Sequence, residues 1–247
     1  MSVQLSVVYL SFNEEDILGR SLQSVADVAD EIVVVDSGST DDTLDIARGF
    51  GAKLFTRPLD NWGAQRNWAL DQCANFWVLV LDCDEVLSEE LVQSLRSFKA
   101  GSPTEGLYSF KRSHVFMDRR MKYSGLQNDW IIRLMPRTTR FETLFVHEKV
   151  HGRSSRLSGE LVHYTYKSEA HWAGKIRHYA QRQAIDYDPK TGAVSAWHKI
   201  VKPSFRFFKH YVLKGGIFDG RKGLDYSVWM YRAVRWRYQE LEKLRMR

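Results

Sequence analysis

The 247-residue sequence contains only two cysteines, Cys73 and Cys83, and five prolines. Two cysteines are too few for a disulfide-stabilised secreted scaffold, and they lack the spacing of a zinc cluster. We therefore expect a reducing, cytoplasmic compartment. The sequence also lacks a run of about 18 uncharged apolar residues, so we expect no membrane-spanning helix. No basic segment precedes the first apolar run, which argues against a signal peptide.

Hydrophobic residues make up 44% of the chain and charged residues 27%, which are ordinary values for a globular protein. The charges are unevenly distributed. Residues 1–100 carry 7 Lys and Arg against 17 Asp and Glu, a net charge of −10, whereas residues 101–247 carry 29 against 13, a net charge of +16. The basic half predicts an anionic partner, which the charge alone leaves open as a nucleic acid, an anionic membrane surface or a phosphorylated substrate.

The first hundred residues alternate between strand and helix patterns. We predict strands at 3–10, 31–35, 53–56 and 76–81, and helices at 14–28, 43–50, 63–74 and 88–99. This alternation is typical of an open parallel sheet with helices on both faces, an α/β architecture. Such sheets bind ligands at the carboxyl ends of their strands. The polar segments 11–15, 36–42 and 82–85 fall at those ends.

The pattern changes after residue 103. Strand patterns at 106–112, 130–135 and 141–150 predict an antiparallel or mixed extension of the sheet, followed by a helix at 168–187. The final segment, 197–247, combines aromatic and basic residues at helical spacings. Glycines interrupt it at Gly215, Gly216 and Gly220.

Asp82 and Asp84 follow the most apolar predicted strand. On an extended chain, residues two apart point the same way, so we expect both carboxylates to face one site. Carboxylate oxygens suit Mg²⁺ or Mn²⁺, which take their remaining ligands from substrate phosphates. The alternative is a solvated acidic turn in which Glu85 caps the next helix.

The segment 36–41, DSGSTD, places small residues directly after a buried strand. Small residues allow a ligand to approach the backbone, and Asp36 is placed to accept hydrogen bonds from a base or a ribose. The alternative is an ordinary strand-to-helix turn with Thr40 or Asp41 as the N-cap. Both interpretations are compatible.

Four segments in this order resemble the family 2 glycosyltransferases: VVYLSFNE at 7–14, EIVVVDSGSTD at 31–41, GAQRN at 63–67 and LDCDE at 81–85. The resemblance implies an inverting enzyme with the GT-A fold, a Rossmann-like open mixed sheet flanked by helices. We expect residues 1–165 to form this nucleotide-sugar-binding and catalytic domain. Residues 166–247 would then form a C-terminal helical extension that contacts the acceptor or a membrane.

The same resemblance implies roles for individual residues. Asp36 would contact the uracil of a UDP-sugar, Arg66 would stand near the nucleotide, and Asp82 would meet the ribose. Asp84 would hold the divalent metal, Mg²⁺ or Mn²⁺. The remaining implied nucleotide-sugar-binding residues are Tyr9, Ser11, Asn13, Glu14 and Ser37.

Two downstream segments resemble the bacterial lipopolysaccharide-core glucosyltransferases that act on the inner core near Kdo and heptose. They are FVHE at 145–148 and GIFDGRKGL at 216–224. This resemblance implies transfer of glucose from UDP-glucose to a lipid-linked inner-core oligosaccharide. Another glycolipid or polysaccharide acceptor stays open, as does a non-catalytic adaptor that binds nucleotide sugars at a membrane.

An inverting transfer needs a carboxylate that accepts the proton of the attacking hydroxyl. We expect Glu148 to be this base, with Asp129 as the alternative, and His147, Tyr179 and Arg182 to contact the acceptor. Residues 147–151 also satisfy the zinc-peptidase pattern H-E-x-x-H, which requires a helix. The β-rich segment before this motif and the glycine directly after it oppose a helix.

Residues 198–247 carry 13 Lys and Arg against 4 Asp and Glu, a net charge of +9, interleaved with Phe, Tyr and Trp. Basic helices with Trp and Tyr suit the headgroup layer of an anionic leaflet. We therefore expect peripheral association with the inner membrane. The alternative is a helical subdomain whose aromatic residues fill a core. No nucleic-acid-binding motif is present, and we expect no nucleic-acid partner.

Overall fold

The computed structural model describes residues 2–101, 103, 106–142, 150–166 and 169–246. The chain divides into two compact units. The first, called the sheet unit here, comprises Met1–Arg112 and Asp129–His163; the second, called the helical unit, comprises Ser113–Asn128 and Tyr164–Arg247. Residues 113–128 thus group with the C-terminal part of the chain, which the sequence patterns did not indicate.

The first part of the sheet unit is the predicted alternation of strands and helices. Its parallel strands are β1 (Leu5–Ser11), β2 (Glu31–Asp36), β3 (Lys53–Thr56) and β4 (Trp77–Asp82). Its helices are α1 (Leu18–Val25), α2 (Thr43–Gly49), α3 (Trp62–Gln72) and α4 (Glu89–Ala100). The strand order β3-β2-β1-β4 brings the carboxyl ends of β1, β2 and β4 to one edge.

Antiparallel strands extend the sheet. They are β5 (Glu85–Leu87), β6 (Leu107–Phe116), β7 (Arg119–Arg120), β8 (Asp129–Pro136) and β9 (Ser154–Tyr166). Strand β7 together with the last residues of β6 and β9 groups with the helical unit. The sheet runs β3-β2-β1-β4-β8-β6-β9-β5, with β7 paired to β6. The predicted mixed, open sheet is therefore confirmed. Most of the strand predicted at 141–150 lies outside the described residues, and residues 141, 142 and 150 are not in a strand.

Side-chain alternation along β1 builds two apolar layers, one on each face of the sheet. Leu5, Val7 and Tyr9 pack with residues of α1 and α4 on one face. Val8 packs on the other face with residues of α3 such as Leu70. Because successive strand side chains point to opposite faces, one uninterrupted apolar run supplies both layers. The central strands β1, β2 and β4, which are buried over most of their length, are the elements from which the polar loops at the edge project.

Strand β9 is locked to the start of α4. Ser88 caps α4 by accepting a hydrogen bond from Leu91 N at 3.2 Å, and the same hydroxyl accepts one from Glu160 N at 2.9 Å. Gly159 has φ +94°, and a Cβ there would lie 2.3 Å from Leu91 N. Only glycine permits this approach without strain. The contact fixes the position of β9 four residues before His163.

The helical unit contains α5 (Glu169–Tyr187), α6 (Lys202–Phe208) and α7 (Arg221–Arg245). π-helical turns Trp197–Val201 and Lys209–Leu213 flank α6, and a 3₁₀ turn Gly216–Asp219 precedes α7. These helical turns and the break at Gly215 confirm the predicted helical extension. Among the described residues, every helix is too short or too polar to cross a lipid bilayer.

Aromatic side chains fill the core of the helical unit. Trp172 is fully buried and stacks on Tyr226 with ring centroids 5.8 Å apart, while Phe116 meets Trp172 edge-on at 4.5 Å. Trp229 belongs to the same cluster. Part of the aromatic content of the C-terminal segment is thus explained by packing, as the alternative interpretation of that segment expected.

The glycine-rich segment 216–224 has a structural role within the helical unit. Asp219 is buried and accepts hydrogen bonds from Lys122 N at 2.9 Å and from Ser124 Oγ at 2.8 Å. A Cβ on Gly223 would lie 1.8 Å from the carbonyl oxygen of Gly216. The glycines of this motif are therefore explained by the close approach of the backbone at Gly216 and Gly223. The aspartate is explained by its hydrogen bonds to the segment 122–124.

We predict that Gly159→Ala lowers the free energy of unfolding by about 1–3 kcal/mol, because the added methyl clashes with the backbone of α4 and the positive φ is strained. Urea unfolding followed by circular dichroism measures this change. Gly49→Ala is the matched control, since a methyl group added there would meet open space among the described residues. Equal effects of the two substitutions would contradict the lock between β9 and α4.

Candidate active site

Asp36 organises the loop after β2. Its side chain is buried and accepts hydrogen bonds from Ser11 Oγ at 2.8 Å, Gly38 N at 2.8 Å and Ser39 N at 2.7 Å. Ser39 Oγ donates to the same carboxylate at 2.5 Å. These contacts join the ends of β1 and β2. Asp36 therefore fixes the conformation of the loop at the edge where the sequence predicts a nucleotide. Ser37 follows Asp36 in this loop.

The loop after β1 is tied to the loop after β2. Asn13 N donates to Ser39 Oγ at 2.8 Å, Thr40 N donates to Asn13 Oδ1 at 2.8 Å, and Glu14 N donates to Thr43 Oγ1 at 2.7 Å. Asn13 adopts φ +54°, which turns the chain at this point. The structure thus brings together the predicted residues Ser11, Asn13, Glu14, Asp36 and Ser37.

Two further observations concern side chains of β1 and its loop. Tyr9 does not reach the edge: its ring is fully buried on the face covered by α1, where its hydroxyl contacts Ser21 Oγ at 3.1 Å. Burial raises the pKa of Tyr9 well above its ordinary value. Phe12, for which the sequence predicted no separate role, is 57% exposed on the loop.

A chain of alternating opposite charges surrounds the end of β4, and we call it the arginine–carboxylate chain. Its members, in order of contact, are Arg66, Asp82, Arg133, Glu85, Arg112 and Asp129. The three arginines balance the three carboxylates. Helix α3 and strands β4, β5, β6 and β8 each contribute at least one member, so the chain joins elements that are distant in the sequence.

The contacts around Asp82 are close. Arg66 Nη2 donates to Asp82 Oδ1 at 2.7 Å, and Arg133 Nη2 donates to Asp82 Oδ2. The same nitrogen of Arg133 reaches Glu85 Oε1 at 2.7 Å, and Glu85 is completely buried. Burial alone would raise the pKa of Asp82, but the positive charges of Arg133 and Arg66 outweigh it and hold that pKa well below its usual range.

Beyond Glu85, Arg112 completes the arginine–carboxylate chain. Its Nη1 lies 3.3 Å from Glu85 Oε1 and its Nε donates to Asp129 Oδ2 at 2.7 Å. Asp129, the alternative base expected from the sequence, is therefore half of an ion pair at the start of β8. Its side chain keeps 32% of its surface exposed, so it is also open to solvent.

Asp84 has a different environment from Asp82. The chain turns at Cys83 and Asp84 before β5 begins, so the extended geometry that would aim Asp82 and Asp84 alike ends at Asp82. Asp84 Oδ2 lies 3.2 Å from His163 Nε2 instead. Both side chains are partly exposed. The arrangement separates one carboxylate bound to arginines from one that faces a histidine.

His163 is the residue that sequence reasoning missed, because the histidines outside the H-E-x-x-H motif carried no recognisable ligand spacing. The pairing of β5 with β9 places His163 opposite Glu85, the residue that directly follows Asp84. Among the described residues, no group of three or more His, Cys, Asp or Glu side chains is arranged to hold a metal ion. Asp84 and His163 contribute one carboxylate and one imidazole to this part of the edge.

Several predicted residues lie elsewhere. His147 and Glu148 fall outside the described residues. Tyr179 and Arg182 are exposed on α5 of the helical unit. His151 is not in a helix, and its Nε2 contacts Glu142 Oε1 at 2.5 Å. The zinc-peptidase pattern requires both of its histidines on one helix, and the second of them, His151, does not lie on a helix.

We predict that Arg133→Met lowers the free energy of unfolding by about 3–5 kcal/mol at neutral pH, because Asp82 and Glu85 lose the cation they share. Urea unfolding measures the loss. The matched control is Arg96→Met, which breaks an exposed pair with Asp27 and is expected to cost about 0–1 kcal/mol.

The same variant has a pH signature. The lowered pKa of Asp82 stabilises the wild type at neutral pH, and this stability is lost as the pH falls below about 4, where the unfolded carboxyl binds a proton. Without Arg133 this dependence weakens. The stability gap between wild type and variant should therefore narrow as the pH falls; a constant gap would contradict the electrostatic role.

Comparison with known proteins agrees with this geometry. Over 98% of its length, the chain is 27% identical to an uncharacterized glycosyltransferase of Rickettsia typhi, covering 87% of that protein. It is 35% identical to a lipopolysaccharide core biosynthesis glycosyltransferase of Rhizobium meliloti, over 40% of the chain and 38% of that protein.

A mannosyltransferase of Pyrobaculum calidifontis, solved in complex with GDP-Man and Mn²⁺, shares the fold with a TM-score of 0.56 at 14% identity, over 98% of this chain and 88% of that one. The sequence model of glycosyl transferase family 2 matches residues 6–156, which is more than half of the chain. The open mixed sheet with its edge loops, the aspartates after β4 and this match lead to one conclusion: the chain belongs to the family 2 glycosyltransferases and is an enzyme with the GT-A fold.

Proposed function

We propose that the enzyme transfers glucose from UDP-glucose to a lipid-linked inner-core oligosaccharide of lipopolysaccharide, by a single displacement that inverts the anomeric carbon. The observation that carries the proposal is the Asp84–His163 pair beside the nucleotide edge of the sheet. The downstream motifs and the partial similarity to the Rhizobium lipopolysaccharide core enzyme support the acceptor class. The motifs and the similarity to the Rhizobium enzyme cover a smaller part of the chain than the family match does, so they support the acceptor class less broadly than the family.

The donor set at Asp84 fits a divalent cation. Two ligands at neighbouring corners of an octahedron with metal–ligand distances near 2.1 Å lie about 3.0 Å apart. The separation of Asp84 Oδ2 and His163 Nε2 is 3.2 Å. Asp84 and His163 would hold Mg²⁺ or Mn²⁺, and the diphosphate would supply further oxygens. The cation would offset the negative charge that develops on the departing UDP.

The remaining residues of the edge would bind the nucleotide. The Asp36 loop offers backbone groups and the hydroxyl of Ser37 to a base, and exposed Phe12 offers an apolar ring beside it. Arg66 lies at the same edge and holds Asp82 with its Nη2. This contact keeps Asp82 ionised, so in our proposal it accepts hydrogen bonds from a ribose rather than protons.

Glu148 is our proposed base, with Asp129 as the alternative. Asp129 shares its charge with Arg112 at 2.7 Å. A carboxylate bound to a guanidinium is a weaker proton acceptor than one without such a partner. This pairing favours Glu148 for the proton of the attacking hydroxyl and a structural role for Asp129.

The proposal includes peripheral association with the cytoplasmic face of the inner membrane, where a lipid-linked acceptor would be reached. Large apolar side chains on the helical unit support it, because Trp197, Phe205, Phe208, Leu213 and Phe218 are each more than 45% exposed. Exposed aromatic residues among cations are typical of proteins that lie on an anionic leaflet.

We predict that UDP-glucose with Mn²⁺ raises the melting temperature more than UDP-galactose, UDP-N-acetylglucosamine or GDP-mannose does. A ligand at a hundred times its Kd stabilises the fold by about 2.7 kcal/mol. Asp84→Asn and His163→Ala should weaken the response to Mn²⁺ by about tenfold or more, whereas Asp45→Asn, on the exposed surface of α2, should not.

Two results would contradict this part of the proposal. Unchanged Mn²⁺ dependence in both variants would exclude the Asp84–His163 metal site. A larger thermal shift with another nucleotide sugar would replace UDP-glucose as the donor while leaving the family assignment intact.

We predict that Glu148→Gln lowers kcat by about 10²–10⁴-fold, since the acceptor hydroxyl loses its general base. The assay is transfer of radiolabelled glucose to a purified inner-core acceptor that carries Kdo and heptose. Asp129→Asn is the paired variant and should keep most of the activity. Near-normal turnover of Glu148→Gln would exclude Glu148, and a selective loss in Asp129→Asn would transfer the role to Asp129.

A further inference from the structure

A cavity of about 590 Å³ lies within the helical unit, between the segment 197–209 and helix α7. This is the size of an ordinary small-molecule site. Its lining includes the cations Lys202, Arg206, Lys209 and Arg237. We call it the cationic cavity. None of the described residues that line the cavity is Asp or Glu. The lining therefore provides four positive charges and no negative charge to balance them.

Arg237 is the innermost of these cations. Its side chain is 7% exposed, and its Nε has no hydrogen-bond partner among the residues that the structure describes. Its guanidinium stacks on the ring of Tyr187 at 4.4 Å, which stabilises a cation without neutralising it. Burial lowers the pKa of Arg237, and the nearby charge of Arg206 acts in the same direction. A bound anion would relieve both effects.

The surroundings of the other cations of the cavity are also free of acidic partners among the residues that the structure describes. Across the described part of the chain, no carboxylate lies within ion-pair distance of Lys202, Arg206, Lys209 or Arg237. Lys202 instead donates a hydrogen bond to Tyr238 Oη at 3.1 Å. By contrast, Lys199 outside the cavity pairs with Glu242 at 2.6 Å. Within the described part of the chain, the absence of acidic partners thus distinguishes the cations of the cavity from a neighbouring cation of the same unit.

Apolar side chains form the rest of the cavity wall. Trp197 and Phe205 line it and are also 57% and 59% exposed, so they reach from the cavity to the solvent. Val201 lies on the same segment and is 40% exposed. An inorganic anion would contact the cations but would leave these apolar surfaces in water. A ligand with an anionic head and an apolar body would cover both.

We propose that the cationic cavity binds the phosphate headgroup of an anionic membrane phospholipid, while Trp197 and Phe205 contact its glycerol and upper acyl chains. This inference rests on the membrane-association part of the proposed function and is independent of the donor and of the catalytic base. It gives the peripheral association a defined lipid site in addition to diffuse attraction between charges.

The test is isothermal titration of the full-length protein with dihexanoyl phosphatidic acid below its micelle concentration, with inorganic phosphate and with dihexanoyl phosphatidylcholine. We expect the phosphatidate to bind about tenfold more tightly than either of the other two. Arg206→Gln combined with Lys209→Gln should weaken that binding by about tenfold or more. Both positions are partly exposed, so the fold should tolerate the change.

The matched control is Arg232→Gln combined with Arg235→Gln, which removes the same charge from exposed positions of α7 outside the cavity. It should bind the phosphatidate within about twofold of the wild type. An equal loss in both double variants would overturn the site in favour of diffuse attraction. Equal affinity for inorganic phosphate would overturn the lipid assignment, and an unaffected cavity variant would overturn the proposal.

A single substitution tests the apolar half of the site. Phe205→Ser should lower flotation with vesicles of phosphatidylglycerol and phosphatidylcholine without changing the thermal shift produced by UDP-glucose and Mn²⁺. Unchanged flotation would overturn the contact of Phe205 with lipid. If Phe205→Ser also lost the thermal shift with UDP-glucose and Mn²⁺, the substitution would have damaged the fold, and its effect on flotation would speak against a specific lipid contact. The thermal shift thus separates failure of this inference from failure of the proposed function.

Discussion

The arginine–carboxylate chain is the interaction on which the active-site edge depends. Three buried or half-buried arginines alternate with three carboxylates, and each interior charge has an opposite charge on both sides. Burial of an isolated charge is strongly unfavourable, so the members are stable in this position only together. The members of the arginine–carboxylate chain come from α3, β4, β5, β6 and β8. Their ion pairs therefore connect the parallel and antiparallel parts of the sheet at the end of β4. The direction in which Asp84 leaves that strand follows from this anchoring.

Asp82 and Asp84, which lie at and just after the end of β4, have different surroundings. Asp82 ends the strand and is bound by Arg66 and Arg133. Asp84 lies in the turn that follows, together with Cys83, and faces His163, which the pairing of β5 with β9 brings close to it. The short motif thus gives its two carboxylates different partners, and in our proposal Asp84 holds the cation because a carboxylate held by two guanidinium groups is poorly placed to bind one. The lock of Gly159 against α4 belongs to the same arrangement, because it sets the position of the strand that carries the histidine.

The parallel half of the fold could be predicted from the sequence because each strand is an apolar run that ends at polar loop residues, as in Val33–Val35 followed by Asp36. Strand β9 could not, because its polar first half and Gly159 interrupt any alternating pattern. The role of His163 was also out of reach, since it depends on the register that pairs this residue with Glu85 across two strands distant in the sequence. Arg112 and Arg133 resemble ordinary surface charges in a strand pattern. Their burial becomes evident only when the strands of the folded sheet bring the carboxylates to them.

The partners of a buried arginine decide whether its charge is cancelled, and the end of β4 and the cationic cavity differ in this respect. At the end of β4, Asp82 and Glu85 oppose the charges of Arg66 and Arg133, and these ion pairs join the elements around the site. In the helical unit Arg237 stacks on Tyr187 and Arg232 on Trp229, at 4.4 and 4.6 Å from the ring centroids. An aromatic face stabilises a cation but leaves its net charge in place. In our proposal, the charge that Arg237 keeps in this way is neutralised by the anionic headgroup of a lipid. Two buried arginines are thus stabilised in two ways: Arg133 by carboxylates, which cancel its charge, and Arg237 by an aromatic ring, which does not.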